Sequence, residues 1–184
     1  MAVEREKHNE FVKNLASAGS FNCKCFDYRI IGPQYIYIGD NFNVGKSLRI
    51  EAIDDYYGLH YQPKLVIGDN VRIEDYCHIG CIGCVEIGNG VLIASKVFIS
   101  DHFHGFISKD DINLAPEKRP LSMKPVKIGN NVWIGENVCI MPGVTLGNNV
   151  IVGANAVVTK SFSDNAVIAG VPAKLIKYLY ENTV

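Results

Sequence analysis

The sequence predicts an all-β protein, a parallel β-helix in which short strands wind into a column of triangular turns. Three observations predict it. Aliphatic residues recur at steps of six: Ile38, Val44, Ile50; Ile67, Ile73, Ile79; Ile87, Ile93, Ile99; Ile128, Ile134, Ile140; and Leu146, Val152, Val158. Glycine follows this beat in nine of the fifteen hexads. A second apolar set, including Val71, Cys77, Val91, Val97, Val132, Val138, Val144 and Val150, stands four residues after it. A period of six fits neither an amphipathic helix nor an alternating strand, but it suits short strands joined by tight corners with two inward residues per side.

Taken in order, residues 1–35 form a helix and lead-in, with Phe11, Val12 and Leu15 on one side of an amphipathic helix over 4–17. Residues 36–163 form the column. Three hexads make a turn of eighteen residues, so fifteen hexads make about five coils, roughly 20–25 Å tall at the usual strand spacing. The corners read "IGDN", "IGNG", "IGNN" and "LGNN", residue types that accept positive φ. Three interruptions are expected to leave the column: two extra residues between Ile79 and Ile87, eleven between Ile50 and Ile67, and twenty-three between Ile99 and Ile128. The last is a protruding loop, 100–126, opening with "SDHFHG". Long loops in a compact domain commonly carry function. Residues 164–184 form a C-terminal segment in which "AKLIKYLYE" reads as a second helix, with Pro172 near its start, covering the open end of the column.

Charged residues make up 20% of the chain and the formal net charge is -1, which gives no electrostatic sign of nucleic acid or an anionic membrane. No apolar run spans a membrane, and the charged start "MAVEREKHNEFVKN" does not read as a signal peptide, so a cytoplasmic protein is expected. The six cysteines then read as reduced thiols. Cys77, Cys81 and Cys84 beside His78 invite a metal reading, but no second cysteine knuckle accompanies them and Cys77 falls on an inward position; no metal is expected.

The stretch "KPVKIGNNVWIGENVCIMPGVTLGNNVIVGANAVVTKSF", followed by "AGVPAKLI", resembles the hexapeptide-repeat acetyltransferases, in particular the group containing galactoside, maltose and polysaccharide O-acetyltransferases. The order "NVWIG", "PGVTLG", "VVTK", "GVPAK" carries the resemblance, which is strong from about residue 66 to 177. It implies a left-handed column and a homotrimer with active sites between subunits. It also implies acetyl-CoA as donor, a small-molecule and carbohydrate acceptor, and a histidine base at the start of the loop.

The resemblance puts that base five residues past the last beat before the loop, at His104. His102, three past the beat, is a supporting or alternative residue, and Asp101 orients either imidazole. For the donor it implies Trp133 beside the reacting groups, and Glu136 and Ala154 on the pantetheine arm. Thr159 and Lys160 match the corner near the phosphates, and Lys174 and Lys177 match basic residues, usually arginine, that meet them. Glu74 falls where the family places a polar acceptor contact, commonly asparagine, and Tyr56, Tyr57 and Tyr76 are candidates for stacking on a sugar or for a subunit interface. Three rival readings remain: an acetyltransferase acting on an amino sugar or antibiotic, a γ-carbonic-anhydrase-like zinc enzyme using His78, His102 and His104, and a non-catalytic scaffold.

Overall fold

The computed structural model describes residues 2–23, 27–105 and 111–180. Cys25, part of the loop (106–110), the end of the C-terminal segment (181–184) and the side chain of Phe11 lie outside the described residues.

Each predicted beat becomes a rung. On one side of the prism Ile38, Ile67, Ile87, Ile128 and Leu146 lie opposite one another in parallel register. On the second side Val44, Ile73, Ile93, Ile134 and Val152 do the same, and on the third Ile50, Ile79, Ile99, Ile140 and Val158. All fifteen beats are buried, as is the second apolar set. The three sheets therefore close on one continuous core, which together with the parallel partners in adjacent coils is the reason such short strands persist.

The column begins before residue 36. Ser17–Ala18, Phe21–Cys23 and Tyr28–Ile31 already pair with the three strands of the next turn. Its inward residues Ala18, Cys23 and Ile30 stand opposite Ile38, Val44 and Ile50, yet they are spaced five and seven apart, so a six-step search passes over them. The N-terminal helix covers Ala2–Asn14.

The C-terminal helix is a correction. Lys174–Tyr178 is a strand, antiparallel to Ala166–Ala169. Ala166–Ala169 ends the parallel stack on the second side, and its edge offers unpaired N–H and C=O groups that a strand satisfies and a helix does not. The residues Leu175, Ile176 and Tyr178 are at home in a strand.

The glycines after the beat have a different reason from the one their type suggests. None of the nine takes positive φ; at the corners Asn41, Asn70, Asn131, Asn149 and others do. Instead, a ladder of side chains runs along one edge of the column. Asp69 Oδ1 accepts the N–H of Asp40, Asn89 Oδ1 that of Asp69, Asn130 Oδ1 that of Asn89, Asn148 Oδ1 that of Asn130, and Asp164 Oδ1 that of Asn148, at 2.7–2.8 Å. A Cβ on Gly68 would lie 2.3 Å from Asn89 Oδ1. At Gly39, Gly68, Gly88 and Gly147 glycine is there because the next coil's side chain occupies the space, and at Gly129 and Gly135 because its backbone does.

Among the described residues no helix is long and apolar enough to cross a membrane.

Candidate active site

The two-residue interruption after Ile79 makes the first part of the site. Ile82 and Gly83 bulge the corner so that the N–H groups of Ile82, Gly83 and Cys84 converge on one point. The Asp101 carboxylate sits there, wholly buried, accepting them at 3.0, 2.8 and 2.8 Å. Oδ1, which takes the Ile82 N–H, also meets His102 Nδ1 at 2.9 Å, while Oδ2 takes those of Gly83 and Cys84. Burial pushes the Asp101 carboxyl up, but the hydrogen bonds from His102, Gly83 and Ile82 outweigh it and hold it below the ordinary range. Because a carboxylate only accepts, His102 Nδ1 carries hydrogen toward it, and Nε2 is the nitrogen turned away from Asp101.

Past Asp101 the loop leaves as a hairpin, His102–His104 against Leu121–Met123. Two tyrosines from the eleven-residue interruption tie it down. Tyr61 Oη accepts the N–H of Leu121 at 3.1 Å, and Tyr56 Oη donates a short hydrogen bond to the Glu117 carbonyl. Tyr56 Oη also lies 3.1 Å from His104 Nδ1, with the rings edge to face at 5.5 Å. The hydroxyl has one proton and gives it to Glu117, so toward His104 it accepts. His104 Nδ1 therefore carries hydrogen and Nε2 is free to take a proton.

Both imidazoles line a cavity of about 310 Å³ against the outer face of the third side, with Arg49, Glu51, Tyr56, His78, Gly80, Phe98 and Ser100 among its other walls. Gly80 leaves room for a ring: a Cβ there would lie 3.1 Å from His102 Cε1. Glu51, 5% exposed, is held by Arg49 at 2.7 Å and His78 at 3.3 Å. Burial alone would raise its carboxyl, yet Arg49 and then His78 bring it below the ordinary range. His78 is lowered, by burial first and by Arg49 second.

Sequence reasoning did not single out Arg49, Glu51 or Ser100, and it considered His78 only as a metal ligand. The signal was available: Glu51 and Ser100 follow a beat, the place glycine usually takes, and they flank Gly80 in register. Glu74, the predicted acceptor contact, does not line the cavity; it pairs with Arg72 at 2.6 Å on the second side. Tyr57 and Tyr76 are exposed and also lie outside it. Cys77 and Cys81 are packing residues: burial pushes the Cys77 thiol up to about 11 and the Cys81 thiol higher still.

The donor candidates lie elsewhere on the column. Trp133 stands outward on the second side between Leu92 and Ile151, half exposed. Glu136 and Ala154 occupy stacked corners leading to the third side, where the Glu136 carbonyl accepts the N–H of Asn155 at 2.7 Å. Thr159 and Lys160 form the corner after Val158, and Lys174 and Lys177 lie on the final strand. None of the seven lines the cavity that holds the histidines.

The bacterial transferase hexapeptide family, described as six repeats, matches residues 125–160. WbbJ of Escherichia coli K12, provisionally designated a lipopolysaccharide biosynthesis O-acetyl transferase, is 47% identical over 162 residues, 85% of this chain and 79% of the relative. The chain belongs to the hexapeptide-repeat acetyltransferases. Galactoside O-acetyltransferase of Escherichia coli K12 is 32% identical over 178 residues, covering 95% of this acetyltransferase and 70% of the relative. A galactoside acetyltransferase solved with coenzyme A superposes with a TM-score of 0.59 at 30% identity, covering 96% of this chain and 71% of the other. A maltose O-acetyltransferase from Clostridium difficile 630 gives 0.62 at 27%, covering 96% and 76%. The column is thus the left-handed parallel β-helix of this family, and the protein is an acyltransferase. Among the described residues no three of His, Cys, Asp and Glu converge as a metal-binding group.

Proposed function

We propose that this acetyltransferase moves the acetyl group of acetyl-CoA to a hydroxyl of a sugar or polysaccharide precursor, with His104 as general base. The observation that carries the reading is the contact set at Tyr56: its hydroxyl reaches the Glu117 carbonyl and lies 3.1 Å from His104 Nδ1, which leaves Nε2 as the nitrogen to act as base in the cavity. A sugar hydroxyl is far too weak an acid to ionise alone at neutral pH. As its oxygen attacks the thioester carbonyl, Nε2 takes the proton; collapse then expels the CoA thiolate, which recovers that proton from the imidazolium. General-base help of this kind contributes about 10²–10⁴ in rate. Holding both substrates together contributes through proximity, and backbone N–H groups at an extended corner can stabilise the oxyanion.

The donor arm runs along Trp133, Glu136 and Ala154, with Thr159, Lys160, Lys174 and Lys177 toward its phosphates. Since these residues do not share the histidines' cavity, the site is completed between subunits of a homotrimer, one chain supplying the imidazole and its neighbour the donor groove. The designations of the relatives support a carbohydrate acceptor. We place the activity in the cytoplasm, where the free thiols stay reduced.

A second reading exchanges the two histidines, and the wholly buried Asp101 behind His102 favours it. Substitution decides between them. His104→Ala is expected to lower kcat by several hundredfold or more, with CoA affinity near normal, as read by thiol release and by titration with CoA. Full activity in that variant, with the loss appearing in His102→Ala instead, moves the role to His102. No acetylation of any hydroxyl acceptor by the parent enzyme overturns the function.

A further inference from the structure

The outer face of the third side carries one row of side chains in strict register: Arg29, Arg49, His78 and Phe98. Its charges do not cancel. The only carboxylate paired with these arginines among the described residues is Glu51, whose Oε2 meets Arg49 at 2.7 Å and whose Oε1 lies 3.7 Å from Arg29 Nε. Two guanidinium groups thus share one negative charge, and burial and then Arg49 disfavour the charged form of the histidine beside them. Glu51 is sealed, with its side chain 7% exposed, while Arg49 remains 47% and Arg29 66% exposed. The carboxylate therefore works from behind: it fixes the Arg49 fork, and the remaining N–H donors are open to the cavity that Arg49 lines. A fixed guanidinium with free donors is the arrangement proteins use for planar or tetrahedral oxyanions.

Resting on the acetyl-transfer reading above, we infer that the acceptor is an anionic carbohydrate. Its sugar ring lies in the cavity against His78 and Phe98, whose rings are 5.3 Å apart. Its phosphate or carboxylate lies against Arg49, with Arg29 beyond. The strand of Arg49 is two strands removed from that of Phe98, so the charge sits roughly 10 Å from the coil that launches the histidine loop. That is about the reach from a reacting hydroxyl across one hexose to a substituent on its far side or on the next residue. A neutral sugar would leave these donors to water.

The test compares matched acceptors with acetyl-CoA in a thiol-release assay: a neutral hexose, its 1-phosphate, its nucleoside-diphosphate derivative and the corresponding uronic acid. The wild-type enzyme is expected to favour a charged member by at least tenfold in kcat/KM, and comparison of the phosphate and uronic arms identifies which oxyanion is read. Arg49→Gln should cost the charged acceptor at least tenfold more than the neutral one, mainly in KM, with the KM for acetyl-CoA changing little. Arg49→Lys should recover part of the loss, and Arg29→Gln should show a weaker effect of the same sign. Equal use of neutral and charged members, or equal losses for both in Arg49→Gln, overturns this inference alone. Failure of every acceptor in both series overturns the acetyl-transfer reading itself.

Discussion

At the scale of single residues, the site depends on where a few protons are held. Tyr56 is the clearest case, because its hydroxyl sets which nitrogen of His104 is free. Tyr56→Phe keeps the ring and removes that constraint. It is expected to lower kcat about tenfold, within the span general-base catalysis supplies, while Tm and the KM for acetyl-CoA stay nearly constant; steady-state kinetics beside thermal melts checks it. Neighbouring groups set a pH dependence. His78 is lowered by burial and Arg49, so its neutral form belongs to the fold; the unfolded chain binds more protons, and that stability is lost as pH falls below its ordinary value of 6.5. The depressed Asp101 and Glu51 carboxyls act in the same direction further down: their contributions are complete above the ordinary values of 3.8 and 4.5 and vanish as pH falls through the lower folded values. Urea midpoints should therefore be flat around neutrality, decline gently below 6.5 and fall steeply in the acid range, with a separate alkaline decline as the buried Cys77 and Cys81 thiols become costly to keep protonated. His78→Gln should remove the gentle part and weaken the Glu51 share of the steep one, since His78 helps hold that carboxyl down.

At the scale of elements, the hexad beat was legible because burial enforces it: every beat residue faces the core, so the alternation could not drift. What was not legible follows from partners rather than pattern. The first turn, from Ser17 to Ile31, substitutes Ala18, Cys23 and Ile30 at uneven steps and is held by the coil above it. "AKLIKYLY" has helical spacing and becomes a strand because Ala166–Ala169 offers it an edge. The imidazoles could be found by motif, whereas Asp101's three N–H donors exist only once the Ile82–Gly83 bulge has formed. The side-chain ladder makes its own prediction. Gly68→Ala would drive a methyl into Asn89 Oδ1 and deprive the Asp69 N–H of its acceptor. Loss of such an exposed bond costs about 0.5–1.5 kcal/mol, and equilibrium denaturation should show it without loss of the β-sheet signal.

At the scale of the whole molecule, one chain carries an imidazole cavity on its third side and a half-exposed Trp133 on its second. In the proposed trimer the two would meet, so light scattering should report three times 20.3 kDa in solution. Trp133 is the only tryptophan, and its emission should shift on addition of CoA. A monomer that binds CoA and turns over normally would reject this assembly. The long interruption between Ile99 and Ile128 has a wider meaning. Ile87 and Ile128 face each other as rung neighbours although a twenty-three-residue excursion separates their coils, and loop closure adds only slowly to the entropic cost as a loop lengthens. The excursion behaves as a cartridge seated in an indifferent frame. Lineages could trade it for another, altering which molecules are modified while the frame continues to fold as before.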